Sequence, residues 1–290
     1  MIRKIVLSAV LAMTASAAAA ELTYGQAFVK YHRFDVDNGT GIKLDVTSLG
    51  GGIEYRYNMF TFSGELGNVD IEGVDLTNGT VGVEYAFGGN AAVGIDYTKF
   101  DIEDIDADVT SVYAAFTTGA YTFGVAIGDS SDLDDTVYAA YAAWDVTPSG
   151  TVGLDIVHID DETLYAGYAD YDLAQYNVQA DVLKLDEIEL YSFAGGYDFG
   201  NRITAIGSLS FIDLGTFDAR AITIGAQYEF VEGANVELAL GRIKLDGAAD
   251  DIDQVSVGVN YEMGRRSTKR RSLGNIVNSA TGSLAGLTGF

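Results

Sequence analysis

A chain of 290 residues with no cysteine, one proline, 35 glycines, 18 tyrosines and 14 phenylalanines can hold neither a disulfide framework nor a thiol nucleophile nor a cysteine-ligated metal. Its formal net charge of −25 excludes binding to nucleic acid through phosphate neutralisation. The charge is unevenly laid out: residues 21–264 hold all 42 acids but only 10 of the 17 lysines and arginines.

Residues 1–20 read as a secretory signal peptide. Arg3 and Lys4 form a positive n-region, Ile5 to Met13 a short apolar run, and Ala15 to Ala20 a small-residue cleavage region, with Glu21 the first mature residue. The apolar run is too short for a spanning helix, and no other stretch approaches the length that one needs.

From Glu21 onward the dominant signal is period-two alternation, the mark of a strand with one apolar and one wet face. It is clearest in Gln254 to Met263, where Val255, Val257, Val259, Tyr261 and Met263 share one side and Gln254, Ser256, Gly258, Asn260 and Glu262 the other. The pattern predicts about sixteen strands, near 22–34, 44–57, 59–69, 75–87, 91–101, 108–118, 120–129, 135–146, 151–159, 163–171, 175–185, 188–199, 202–212, 218–230, 234–245 and 252–263. Every second strand repeats after about 30 residues, so the unit is a hairpin. Many strands close on aromatics: Tyr55 and Tyr57, Tyr85 and Phe87, Trp144, Tyr197 and Phe199, Tyr228 and Phe230, and Tyr261. Aromatics at one end of an apolar strand face form the lipid-facing girdle of a membrane barrel.

The connections are of two kinds. One set is short and carries few acids, as at Asn58, Gly88 to Asn90, Gly119 and Gly200 to Asn201; the other is acidic, as at Asp35 to Lys43, Asp101 to Asp108, Asp129 to Asp135 and Asp246 to Asp253. The fold class that follows is all-β, a transmembrane antiparallel up-and-down β-barrel of about sixteen strands over residues 21–263, with short periplasmic turns and acidic outer loops. Lys99, Lys184 and Lys244 each stand two residues before an outer acid. Lys99 and Lys184 count onto the lipid side, where a lysine either snorkels or meets lipopolysaccharide phosphate.

If the aromatic and aliphatic face meets lipid, the opposite face lines the lumen. It carries Glu54, Arg56, Glu65, Glu84, Asp198, Gln227, Glu229, Glu237, Asn260 and Glu262, and Asp96, Asp155 and Asp181 fall there too. A predominantly acidic wall concentrates cations and rejects anions. For the first strand the count does not choose between Tyr24, Gln26 and Phe28 on one side and Ala27, Val29 and Tyr31 on the other, and the run from Val137 to Trp144 is equally undecided. Residues 264–290 break the pattern. Arg265, Arg266, Lys269, Arg270 and Arg271 open a basic periplasmic tail, followed by Leu273, Ile276, Val277, Leu284 and Leu287 in a weakly amphipathic stretch. The tail is expected to be a disordered periplasmic extension; a sharper alternative has its five cations dock in the acidic periplasmic mouth of the barrel and restrict it.

Over residues 21–263 the chain resembles the Gram-negative porins, in particular the general porins of alphaproteobacteria. The likeness is carried by the signal peptide, the opening strand from Glu21-Leu22-Thr23-Tyr24, hairpins of this length, and strand ends such as Tyr85-Ala86-Phe87 and Tyr228-Glu229-Phe230. It implies an outer-membrane diffusion channel for small hydrophilic solutes and ions, assembled as a homotrimer among lipids and lipopolysaccharide. One departure is plain: the third outer connection, Asp101 to Asp108, is too short to fold into the lumen as a constriction. Two alternatives stand beside a general porin: a closed-lumen structural or interaction barrel, and a substrate-specific channel, for which Tyr113 and Tyr168 are the inward aromatic candidates. No enzyme, cofactor, metal site or nucleic-acid partner is expected. His158 beside Asp160 and Asp161 is the nearest approach to an acid–histidine site, and no serine stands in a nucleophile-elbow pattern.

Overall fold

The computed structural model describes residues 21–36, 43–72, 74–102, 105–130, 136–213, 215, 218–246 and 251–264. The signal peptide and the basic tail expected from the sequence lie outside the described residues. Sixteen strands follow one another: β1 (Glu21–Val36), β2 (Lys43–Tyr57), β3 (Phe60–Ile71), β4 (Val74–Phe87), β5 (Ala91–Ile102), β6 (Ile105–Thr118), β7 (Tyr121–Asp129), β8 (Thr136–Thr147), β9 (Gly150–Ile159), β10 (Glu162–Leu173), β11 (Tyr176–Leu185), β12 (Ile188–Asp198), β13 (Ile203–Asp213), β14 (Asp218–Val231), β15 (Ala234–Leu245) and β16 (Ile252–Gly264). Each pairs antiparallel with its sequence neighbours, and β1 pairs with β16, so the sheet is a closed barrel without an edge. Closure satisfies every ladder group within the sheet, which is the condition for crossing hydrocarbon with strands.

The end expected to be periplasmic is built from tight turns. Asn58, Gly88, Gly89, Gly119, Gly200 and Gly233 all take positive φ there, as two-residue hairpin turns demand. The acidic end is nearly as tight in places, with Asp160 and Asp186 also at positive φ. At the third outer connection the sequence expectation is corrected. Residues 101–108 are mostly strand, since β5 runs to Ile102 and β6 begins at Ile105. Lys99 faces Asp108 across the ladder and lies 3.3 Å from Asp106, while the Tyr97 hydroxyl donates to Asp108 at 3.0 Å. Charged residues can continue a ladder once their side chains face water.

The outward face carries a defined apolar band. On β14 it runs from Phe230 through Tyr228, Ile224 and Ile222 and stops at Arg220; on β16 it runs from Tyr261 through Val259, Val257 and Val255 and stops at Asp253. That length fits the roughly 9–11 residues of a tilted membrane strand. Aromatics bound the band below, where Tyr85 packs edge-on against Phe87 and Trp144 stacks on Tyr121. Tyr31, Tyr97 and Tyr191 bound it above, and their hydroxyls donate to Asp45, Asp108 and Glu189.

Beyond that upper ring the polarity of the wall inverts. Outside lie ion pairs: Arg33 with Asp45, Lys99 with Asp106, Lys184 with Glu189, Arg220 with Asp246, and Arg242 with Asp253. Inside lie apolar side chains, in one group of Val137, Val157, Ala139 and Ala166 and another of Leu190, Ile212 and Ala219. The strands therefore outrun the bilayer, and above it the barrel has the polarity of a water-soluble one.

Candidate functional site

Among the described residues, polar and titratable side chains converge on the inner wall, and the strand register sets their layers by height. At the periplasmic rim stand Arg56, Asp198, Glu229 and Glu262, each within two residues of the end of its strand. Two of these acids hold turns: Asp198 accepts the Gly200 amide at 2.7 Å, and Glu229 accepts the Gly233 amide at 3.0 Å. Three or four residues from the strand ends comes a belt of Glu54, Glu84, Gln227, Glu237 and Asn260. Glu237 is its most connected member. Its Oε2 accepts from Gln227 at 3.1 Å and from Asn260 at 3.2 Å and lies 3.8 Å from the Lys30 ammonium. Its Oε1 is buried without a hydrogen-bond partner.

The next belt mixes carboxylates with tyrosines: Glu65, Asp96, Tyr113, Asp155, Tyr168 and Asp181, with Tyr141 at the same height. The tyrosines follow a rule. Tyr113 on β6, Tyr141 on β8 and Tyr168 on β10 each lie flat over a glycine of the preceding strand, Gly94, Gly124 and Gly153, where any Cβ would collide with the ring. Glycine thus makes room for an aromatic on the concave side of β6, β8 and β10. The Tyr113 hydroxyl donates to Glu84 at 3.2 Å, and the Tyr141 hydroxyl is buried without a partner. Ser111 donates to Asp96 at 3.4 Å. Above this belt the wall turns apolar, as described.

The structure places Glu54, Glu65, Glu84, Gln227, Glu237 and Asn260 on the concave side together with Asp96, Asp155 and Asp181. Arg56, Asp198, Glu229 and Glu262 have the same parity but sit at the rim. The aromatic set Tyr55, Tyr57, Tyr85, Phe87, Trp144, Tyr197, Phe199, Tyr228, Phe230 and Tyr261 lies on the opposite, outward parity.

Strand β1, undecided from sequence, is settled by its neighbours. Tyr31 faces Val257 across β16, so Tyr31 shares the outward face and Gln26, Phe28, Lys30 and His32 turn inward. Arg56 is therefore not the sole inward cation, because Lys30 joins it. In β8, Val137, Ala139, Tyr141 and Ala143 turn inward while Tyr138 and Trp144 face out. Sequence reasoning missed Lys30, His32 and Tyr141; for Tyr141 the available signal was Gly124 on the preceding strand. His158 faces outward with Nδ1 3.0 Å from the Thr163 hydroxyl, away from the lumen. Lys99, Lys184 and Lys244 each pair with a protein acid, Asp106, Glu189 and Asp251 respectively.

No protein-family model matches the sequence, and no curated protein does. Among solved structures it is similar to OpdQ of Pseudomonas aeruginosa, with 11% identity and a TM-score of 0.54 over 84% of this chain and 97% of that one. It is equally similar to OccAB4 of Acinetobacter baumannii, with 8% identity and a TM-score of 0.54 over 86% of this chain and all of that one. OpdK of Pseudomonas aeruginosa, solved with vanillate, aligns at 10% identity and a TM-score of 0.52 over 83% of this chain and 98% of that one. The barrel fold is shared with these proteins. At such identity the likeness carries the fold, and no residue of theirs maps onto a residue here.

Proposed function

We propose that the chain is an outer-membrane porin through which small hydrophilic solutes and ions diffuse passively, with a preference for cations. Sixteen strands enclose a lumen wide enough for water, whereas eight are filled by their own side chains. The observation that carries the reading is the imbalance of charge on the concave wall. Glu54, Glu65, Glu84, Asp96, Asp155 and Asp181 face inward, against Lys30 and Arg56, and Lys30 is already engaged by Glu237. An acidic lining raises local cation concentration and lowers that of anions. In this reading lipid and lipopolysaccharide surround the apolar band, and Lys99, Lys184 and Lys244 tie the outer strand ends together before they meet any lipid phosphate. A homotrimer, and kinship with the alphaproteobacterial general porins, rest on the sequence resemblance.

A second reading, a substrate-specific channel, is favoured by one observation: the row Tyr113, Tyr141 and Tyr168 occupies one side of the lumen at one height. Saturable conductance with rising solute concentration distinguishes it from a general porin.

The test is single-channel recording in a planar bilayer under a salt gradient. The proposal expects discrete steps and a reversal potential of the sign given by cation preference. Silence from well-folded protein would replace it with a closed-lumen structural barrel.

A further inference from the structure

We propose that the lumen selects small organic cations with an apolar body, the ammonium group resting on the belt of carboxylates and tyrosines and the apolar body on the collar directly above it. The inference rests on the channel reading and names the class of solute.

Three observations carry it. The first is the continuity of the collar. At the outer end, inward positions meet apolar to apolar from one ladder to the next: Val137 faces Ile159, Leu183 faces Leu190, Leu190 faces Ile212, and Phe34 faces Leu44 beside the seam. Val137 and Leu190 are each 1% exposed, against 66% for Ile224 on the outward band. An apolar constriction opposes hydrated ions. A solute that brings apolar surface of its own gains there by taking that surface out of water.

The second is the spacing between collar and belt. Ala139 stands two residues outward of Tyr141 on β8, Val157 two outward of Asp155 on β9, and Leu183 two outward of Asp181 on β11. Two strand residues rise about 7 Å, so one small molecule spans both chemistries. The belt acids are already held by the wall, as where Tyr113 donates to Glu84 and Ser111 to Asp96. They act on a solute through their summed charge, which draws cations and repels anions. That fixes the sign of the solute's polar end.

The third is Tyr141, at the junction of the two layers. Its ring lies over Gly124, the residue is 7% exposed, and its hydroxyl has no hydrogen-bond partner. Tyr113 lies over Gly94 in the same manner and reaches Glu84, which stands opposite that glycine. The residue opposite Gly124 is Ala115, whose side chain accepts nothing. Glu84 and Asp155 are the carboxylates that act on the Tyr141 hydroxyl. Its oxygen is therefore open to an ammonium N–H at the place where the acidic field is strong and the collar begins. A largely apolar site with a few polar groups that fix orientation is the usual make-up of a small-molecule site.

The full chain is recorded in planar bilayers at about 0.1 M potassium chloride, where screening is modest, with three probes. Hexylammonium has the charge and the apolar body, protonated Tris the charge on a hydrophilic body, and hexanoate the apolar body with the opposite charge. The expected result is saturable block by hexylammonium at concentrations where the other two leave the current unchanged. Leu190→Asn weakens that block by about tenfold, the lower end for a lost apolar contact in a pocket, and Tyr141→Phe weakens it severalfold, each read against its own unblocked current. Equal block by protonated Tris would leave charge preference alone, and equal block by hexanoate would leave apolar binding alone; either overturns the inference. Hexylammonium block that survives both substitutions at full strength refutes the assigned place. The comparison of probes on the unaltered chain decides even where a substituted chain fails to fold. Open steps that no probe blocks overturn the inference and leave the channel reading intact, whereas silence from well-folded protein sinks the channel reading itself.

Discussion

Glu237 makes the sharpest test of how the inner wall is held. Its carboxylate gathers Gln227, Asn260 and Lys30 from three other strands, β14, β16 and β1, around one oxygen. These strands flank the seam where the barrel closes. Glu237→Ala removes a charged acceptor and leaves Lys30 without this counter-charge and two amides without their acceptor. Breaking a buried pair in this way costs about 3–5 kcal/mol. With a urea slope near 3 kcal/mol per molar, the unfolding midpoint falls by about 1–1.7 M. Glu237→Gln keeps the volume and one acceptor oxygen and loses less than half of that. The single tryptophan, Trp144, sits on the outward face, 46% exposed and stacked on Tyr121. Its fluorescence in lipid-reconstituted protein therefore reports unfolding without an added label. A Glu237→Ala protein within about 0.5 kcal/mol of the parent, the range of ordinary surface changes, would refute the view that this cluster fastens the seam.

Other perturbations probe other parts of the wall. Ile224 lies mid-band and is 66% exposed, so Ile224→Arg costs about 2–4 kcal/mol in the same unfolding assay, whereas native Arg220, two turns of the pleat higher, is tolerated by its place beyond the band. Gly153→Leu drives a side chain into the Tyr168 ring and costs about 1–3 kcal/mol; the added change Tyr168→Ser recovers most of the loss, and failure to recover it would remove the ring as the cause. Glu54→Gln with Glu84→Gln shifts the reversal potential toward zero without closing the channel. Glu229→Gln shifts it less and costs about 0.5–1.5 kcal/mol, because that carboxylate sits at the rim and holds the Gly233 amide.

Local pattern located the strands closely. The expected span 75–87 is Val74–Phe87, and 234–245 is Ala234–Leu245. Alternation survives because the pleat forces neighbouring side chains to opposite faces whatever lies beyond them. Where acids clustered, the same reasoning stopped too early. Asp106 read as loop, yet it stands in a ladder opposite Asp101, with the Lys99 ammonium 3.3 Å away. The inner acids were legible for the same reason as the strands: Glu54, Glu84 and Glu237 alternate with strong apolar neighbours. Lys30 was not, because Phe28 and Val29 flank it from both faces and only the β16 register breaks the tie.

The sequence by itself determined the number of strands, their pairing as consecutive hairpins, and the two chemically unlike ends, all of which follow from short-range alternation and turn residues. Only the tertiary structure decided which side is wet at each height. A face is lipid-facing, lumen-facing or solvent-facing according to closure of β1 on β16 and to position along the barrel axis, and neither is a local property. That is why Val137, Val157, Leu190 and Ile212 near the outer strand ends turn inward to form a collar, and why the acids beside them face water.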